Sequence, residues 1–244
     1  MSAAAPTITL RPLDSYEGTL ARRTYLALRE AIVELRVDPG AALRKEEICG
    51  MLGVSRSPVS EAVTRLATEA LVDVVPQAGS FVARLSMAEI REGAFLREAI
   101  ELAAIDHLAP RITDAQLTDL RRNLRLQGVM VEDGDFPGFY ALDGEMHRML
   151  LDFTGFQRLA RVSDTAWVHV DRARRLILPM GDRVAETLAE HRTIVAALEA
   201  RDGAAARAAM RHHLAQLMTF LTPLEAARPD LFSPDPTPSQ VDQP

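Results

Sequence analysis

Strand-forming residues in this chain are confined to one short stretch. "VDVVPQAGSFVAR" (Val72–Arg84) alternates β-branched and polar or small residues around a turn at Gln77-Ala78-Gly79. It reads as two short β segments. The remaining periodic hydrophobicity follows a helical repeat. A chain of 244 residues with so little strand has no sheet to build a domain around. It must be mainly α, with one small β-ribbon near its start, and at roughly 100–200 residues per domain it makes one or two domains.

Three helices precede the ribbon. Leu20, Tyr25, Leu28, Ile32 and Leu35 give Thr19–Val37 a helical spacing, which "DPGAAL" then breaks. Arg44–Gly53 is a short helix closed by Gly53. Val54–Leu71 starts at a Ser55 or Ser57 cap, carries Pro58 in its first turn, and lines up Val59, Val63, Leu66 and Ala70. Helix, turn, short helix, tight turn, second helix and ribbon are the order of a winged helix-turn-helix. The second helix of such a module enters the DNA major groove with its N-terminal residues. Those residues are Ser55, Arg56, Ser57 and Ser60. Arg56 can pair bidentately with a guanine or clamp a phosphate, and the serines can donate to phosphates. The wing tip from Gln77 to Gly79 can lie along the backbone or minor groove. A helical hairpin used only for protein contacts is the alternative.

After Arg84 the pattern is helical throughout. The capping box Ser86–Glu89 opens a helix to about Leu108, and Pro110 ends it. Thr113 or Asp114 caps a helix to about Glu132. Phe136–Phe153 and Phe156 to about Leu178 follow, the latter stopped by Pro179. Asp182–Arg201 and Ala204–Ala226 make a helical hairpin. The expected organisation is a flexible N-terminus (1–18), the winged module (19–84), an all-α helical bundle (86–226) and a disordered tail (227–244). The tail carries five prolines in its last seventeen residues.

The net charge of −6 argues against wholesale nucleic-acid binding, but it is uneven: net +1 over residues 20–84 and net −4 over residues 85–225. There is no run of ~18 apolar residues to span a membrane. "MSAAAPTITLRPL" has no basic region followed by an apolar core. The single cysteine, Cys49, allows no internal disulfide. A cytoplasmic location is expected.

The helical domain carries the second set of candidates. Asp143 and His147 are four residues apart, so on a helix they share a face with Phe139, Leu150 and Leu151. His191 shares a face with Leu188, Ile194, Val195 and Leu198, and His213 one with Met210, Leu214, Leu217 and Phe220. Each alone reads as a hydrogen-bonded core residue. Three inward imidazoles and a carboxylate together are costly to bury unless paired or coordinated, and a divalent cation satisfies all four. One oxygen and three nitrogens suit Zn²⁺, Ni²⁺, Mn²⁺ or Fe²⁺. A six-coordinate metal would keep open positions for water or an effector's carboxylate. Glu145, two residues from both Asp143 and His147, has the wrong helical phase to join them.

The stretch "LREAIVELRVDPGAALRKEEICGMLGVSRSPVSEAVTRLATEALVDVVPQAGSFVA" resembles the DNA-binding domain of the GntR family of bacterial transcription regulators. The resemblance implies that Arg56 leads the DNA contacts, supported by Ser57 and Gly79. Ser60 stands where many members have Arg, and Glu46 where some have a basic DNA-contacting residue. "LREAIELAA", "LDGEMHRML" and "EHRTIVAALEARDGAAARAAMRHHL" resemble the FCD ligand-binding domain of the FadR-type branch. That resemblance implies Asp143, His147, His191 and His213 as metal ligands and Arg97 as a pocket residue that pairs an effector carboxylate. The alternative for Arg97 is a helix-surface salt bridge with Glu101.

The expected function is a homodimeric transcription regulator, a repressor, whose operator binding is controlled by a small organic acid at the metal-containing pocket. The alternatives are a structural metal with the effector bound elsewhere, and a metal-dependent hydrolase. No enzyme activity is expected.

Overall fold

The computed structural model describes residues 8–159, 162–163 and 167–234. The described residues form two compact units, one from those up to Met87 together with those that follow Ala226, the other from those within Ala88–Ala226.

In the first unit, α1 (Leu20–Val33) is capped by Thr19, whose hydroxyl accepts from the Arg22 amide. Tyr25, Leu28 and Ile32 are buried as the spacing predicts, whereas Leu20 is exposed. Helix α2 (Lys45–Leu52) ends at Gly53 in the left-handed region (φ 65°), which favours glycine. Helix α3 (Arg56–Thr68) follows and buries Val59, Ala62, Val63 and Leu66. Ser55 holds its cap position without a side-chain bond. Glu69, just past α3, receives the Tyr25 hydroxyl at 2.6 Å and Arg29 at 3.1 Å, which ties α3 to α1.

The wing is β1 (Val72–Val75) paired antiparallel with β2 (Gly79–Val82), in register Val72 to Val82 and Val75 to Gly79. "DPGAAL", which reads as a breaker, also contributes. Backbone bonds link Gly40 and Ala41 to Val82, and Leu43 to Ser80, so residues 40–43 line the far edge of β2.

Among the described residues, parts of both terminal segments are packed. In the segment expected to be flexible, Ile8 is buried, Arg36 donates to the Thr9 carbonyl at 3.2 Å, and the Tyr16 hydroxyl donates to Glu30 at 2.8 Å. In the segment expected to be a disordered tail, residues 230–233 pair with the linker. The Leu85 amide donates to Leu231, the Ser233 amide to Leu85, and Phe232 is buried. The proline count concealed one short apolar pair, Leu231-Phe232, that can be buried. Residues 1–7 and 235–244 lie outside the described residues.

The second unit is helical. Its described helices are α4 (Met87–Leu108), α5 (Asp114–Asp133), α6 (Phe136–Asp152), α7 (Val168–Ile177), α8 (Arg183–Glu199) and α9 (Gly203–Ala227). Thr113 and Gln116 form a reciprocal capping box on α5, and Asp135 caps α6. A core of Leu102, Ile105, Leu120, Met146, Leu150, Ile194, Leu198 and Met210 joins α4, α5, α6, α8 and α9. The helix expected from Phe156 to Leu178 is described as α7 only from Val168. Residues 160, 161 and 164–166 of that stretch lie outside the described residues.

Candidate functional site

Four side chains from three helices meet inside the second unit. Asp143 and His147 come from α6, His191 from α8 and His213 from α9, all buried. One ligand-type atom from each lies within 4.8 Å of the others. The four predicted metal residues are therefore brought together. His147 Nε2 and His213 Nε2 are 3.2 Å apart, and His191 Nε2 is 3.4 Å from Asp143 Oδ1.

The outer nitrogen of each ring is held by an acceptor. His147 Nδ1 bonds Glu101 at 2.6 Å, His191 Nδ1 bonds the Gln127 carbonyl oxygen at 2.8 Å, and His213 Nδ1 bonds Glu190 at 2.7 Å. The Gln127 orientation is fixed in turn, because its amide donates to Asn123 Oδ1, and Asn123 donates to the Leu142 carbonyl. These acceptors keep the proton on Nδ1 of each ring and turn an unprotonated Nε2 inward. Three nitrogen lone pairs and a carboxylate oxygen then converge with no donor among them. Two of these buried atoms, Asp143 Oδ1 and His191 Nε2, have no hydrogen-bond partner. An unsatisfied buried polar group costs about 1–3 kcal/mol, so the cluster fits a divalent cation.

Electrostatics point the same way. Burial pushes the His191 pKa well below its usual value, and the neighbouring His213 adds to this. Burial also takes His213 down to about 4, although its bond to Glu190 opposes the shift. Both rings are thus neutral and able to coordinate at pH 7. Burial would raise the Asp143 pKa, but Arg174 and the imidazoles hold it well below the carboxylate range. For Glu101, burial is likewise outweighed by His147 and Arg97, which hold it at about 2.

Each carboxylate of the site carries an arginine: Asp143 has Arg174, Glu101 has Arg97 at 2.6 Å, and Glu190 has Arg183 through two bonds of 2.6 and 2.7 Å. All three arginines line one cavity of ≈ 30 Å³ beside His213, with Thr187 and Leu217 among its other walls.

In the first unit, Arg56 starts α3 with its side chain 75% exposed, paired to Glu46 of α2 at 2.9 Å. Ser55 and Ser57 are exposed beside it, and Ser60 accepts from Lys45 Nζ at 3.3 Å. Gln77 (φ 63°) and Gly79 (φ 120°) form the exposed wing tip.

Comparison with known proteins agrees with this two-part layout. Residues 20–82 match the model of the bacterial regulatory proteins of the gntR family, and residues 92–216 match the FCD domain. An uncharacterized HTH-type transcriptional regulator in an unstable DNA locus of Streptomyces ambofaciens is 39% identical over 89% of this chain and 91% of its own length. The chain is a GntR-family transcription regulator with an FCD domain. The HTH-type transcriptional repressor RspR of Escherichia coli K12 is 33% identical over 87% of this regulator and 93% of its own length. Among solved structures, a putative GntR regulator from Rhodococcus sp. RHA1 superposes with a TM-score of 0.69 at 26% identity, over 82% of this chain and 97% of that one. Escherichia coli McbR/YncC shares the fold with a TM-score of 0.72, over 85% of this chain and 99% of that one.

In this GntR regulator Arg97 lies on the cavity wall and not on the helix surface. Its pair with Glu101 is buried rather than on the helix surface, and its Nη2 is buried without a partner at the edge of the cavity. Glu145 accepts from Asn123 at 3.3 Å, away from the four ligands, as its helical phase predicts. Glu101, Gln127, Glu190, Arg174 and Arg183 were not anticipated as parts of the site. Two signals existed in the sequence: Glu190 immediately precedes His191, and Arg183 lies seven residues earlier on the same helix face.

Proposed function

We propose that this chain is a homodimeric repressor whose operator binding is controlled by a small organic acid bound at a metal-containing pocket of its FCD domain. The observation that carries the reading is the convergence of Asp143 Oδ1 and three imidazole Nε2 atoms, with every Nδ1 held by its own acceptor. Asp143, His147, His191 and His213 would hold Zn²⁺, Ni²⁺, Mn²⁺ or Fe²⁺. Such a cation would act as a Lewis acid that takes a carboxylate oxygen. The Arg97 Nη2, buried and unpartnered, would pair the same acid from the cavity side. A cavity of ≈ 30 Å³ has room for about two waters, so an organic acid would widen it on binding. That widening is what a sensor needs, because an effector shifts an equilibrium only by binding one state better than another.

On the DNA side, Ser55, Arg56, Ser57 and Ser60 would enter the major groove while Gln77 and Gly79 follow the backbone. The repressor assignment is supported by similarity to RspR and to a probable D-xylose utilization operon transcriptional repressor of Paenarthrobacter nicotinovorans, 30% identical over 83% of this chain. A dimer is supported by α4, where Phe95 (72% exposed), Leu96, Ala99 and Ala103 form an exposed apolar stripe at helical spacing. A two-fold dimer matches a two-fold operator.

Metal analysis of the purified protein, followed by calorimetry of wild type and His191→Ala with candidate organic acids, tests the pocket. Loss of acid binding together with the metal is expected. Equal acid affinity in both proteins would place the effector elsewhere.

A further inference from the structure

The first turns of α2 and α3 are cross-linked twice. Lys45 Nζ donates to Ser60 Oγ, and Arg56 Nη2 pairs with Glu46 Oε1. The second contact is solvent-exposed on both sides, 75% for Arg56 and 67% for Glu46, so it adds little to folding stability. The helix dipole favours an acid in the first turn of α2, but Glu47 already supplies one there. Neither stability nor capping accounts for a carboxylate at this point of a DNA-facing surface, where negative charge opposes binding.

We propose that Glu46 is a positioning residue that makes Arg56 a reader of guanine rather than a clamp for phosphate. The inference rests on the reading of this module as operator-binding. Each Nη of a guanidinium carries two hydrogens. The ion pair with Glu46 reaches the guanidinium at Nη2 alone and so engages at most one of its two hydrogens, which leaves at least one complete two-donor edge, either Nε with Nη2 or Nη1 with Nη2. That edge matches guanine O6 and N7. A phosphate on the same guanidinium would be brought close to the Glu46 carboxylate and repelled by it, whereas a neutral base edge would not. Glu46 thus trades backbone affinity for base discrimination, which is specificity gained by a repulsive element.

The test uses the full-length protein as wild type, Glu46→Gln, Glu46→Asp and Arg56→Ala. Duplexes are selected from a randomised pool, and binding of the selected duplex is followed against salt. Wild type is expected to require a guanine whose replacement weakens binding about ten-fold or more. Arg56→Ala should lose that requirement. Glu46→Gln should retain its melting temperature, bind random duplex more tightly and lose most of the guanine preference. Its log–log salt slope should steepen by about one, the signature of one added phosphate contact. Glu46→Asp, which keeps the carboxylate, should preserve the preference. An unchanged base profile and salt slope in Glu46→Gln would overturn the proposal while leaving operator binding intact. A guanine requirement that survives Arg56→Ala would overturn it as well. A wild type that selects no duplex would refute operator binding, and this inference with it.

Discussion

Asp143 Oδ1 and His191 Nε2 face each other 3.4 Å apart, both fully buried and neither with a hydrogen-bond partner. The pair comes from α6 and α8, so the fold itself holds two acceptors together at a cost that only a proton or a cation removes. Wild-type protein is therefore expected to be stabilised by added Zn²⁺ or Ni²⁺. At about 100 times the dissociation constant the melting temperature should rise by roughly 5–10 °C. His191→Ala should show almost none of this rise. A melting curve that responds equally in both proteins would remove His191 from the ligand set.

The residues behind the imidazoles should matter nearly as much as the imidazoles. Gln127→Leu leaves His191 Nδ1 without its acceptor, which frees the ring to carry its proton on Nε2, where it blocks coordination. Glu101→Gln weakens the corresponding hold on His147. Each is expected to lower metal affinity by about 10–100-fold in a competition titration, with helical content unchanged. Affinity within two-fold of wild type would show that the ring orientations are fixed by packing alone.

Acid should destabilise the metal-free protein before its carboxylates begin to titrate. Burial holds the folded His213 at about 4 against an ordinary value of 6.5, and the folded His191 is also depressed. Between these values the unfolded chain takes up protons that the folded chain refuses. Stability is therefore fully present above about pH 6.5 and falls as the pH drops towards 4, by on the order of 3 kcal/mol for His213. Glu101, depressed from 4.5 to about 2, adds its own loss only below about pH 4.5. Urea unfolding of chelator-treated protein between pH 7.5 and 4.5 should show the first loss. A flat profile across that window would mean that the imidazoles take up protons in the folded state as readily as in the unfolded chain.

For operator binding, Arg56→Ala should lower affinity by about ten-fold or more at moderate salt, measured by fluorescence anisotropy on a selected duplex. Its exposed side chain makes no core contact, so the melting temperature should stay within about a degree of wild type. Retained affinity would shift the base contacts to Ser57, Ser60 or the wing.

The parts of this molecule legible in the sequence are those specified by local spacing. Asp143 and His147 share a face because they are four residues apart, and His191 and His213 each sit in a heptad-like apolar pattern, so all four point inward whatever the tertiary arrangement. The supports are different in kind. Gln127 reaches His191 from α5, and Arg174 reaches Asp143 from α7, contacts that exist only after the helices pack. Arg97 shows the limit most clearly: its i,i+4 partner Glu101 was visible, but whether that pair lies on the surface or against His147 depends on which way α4 is turned. The same holds for residues 40–43, whose breaker composition hides their pairing with β2.

The chain's return to Leu85 gives a last prediction. Leu231 accepts from the Leu85 amide at 3.0 Å, the Ser233 amide donates back at 2.8 Å, and Arg84 donates to the Asp230 carbonyl at 3.1 Å. These bonds, with a fourth from the Ser233 hydroxyl to the Leu85 carbonyl at 3.3 Å, would not hold a segment of this length against its conformational entropy. The anchor must be Phe232, only 4% exposed, whose burial contributes about 2 kcal/mol. Phe232→Ala should therefore release residues 229–233 as a unit rather than leave a cavity. The Leu85 amide would then exchange with solvent much faster, while amides in α3 keep their protection because the segment's hydrogen bonds run to Arg84 and Leu85 and not to α3. Limited proteolysis with chymotrypsin should cut after Leu231 in the variant and not in wild type. Unchanged exchange at Leu85 in Phe232→Ala would show that the backbone ladder holds this segment without its aromatic anchor.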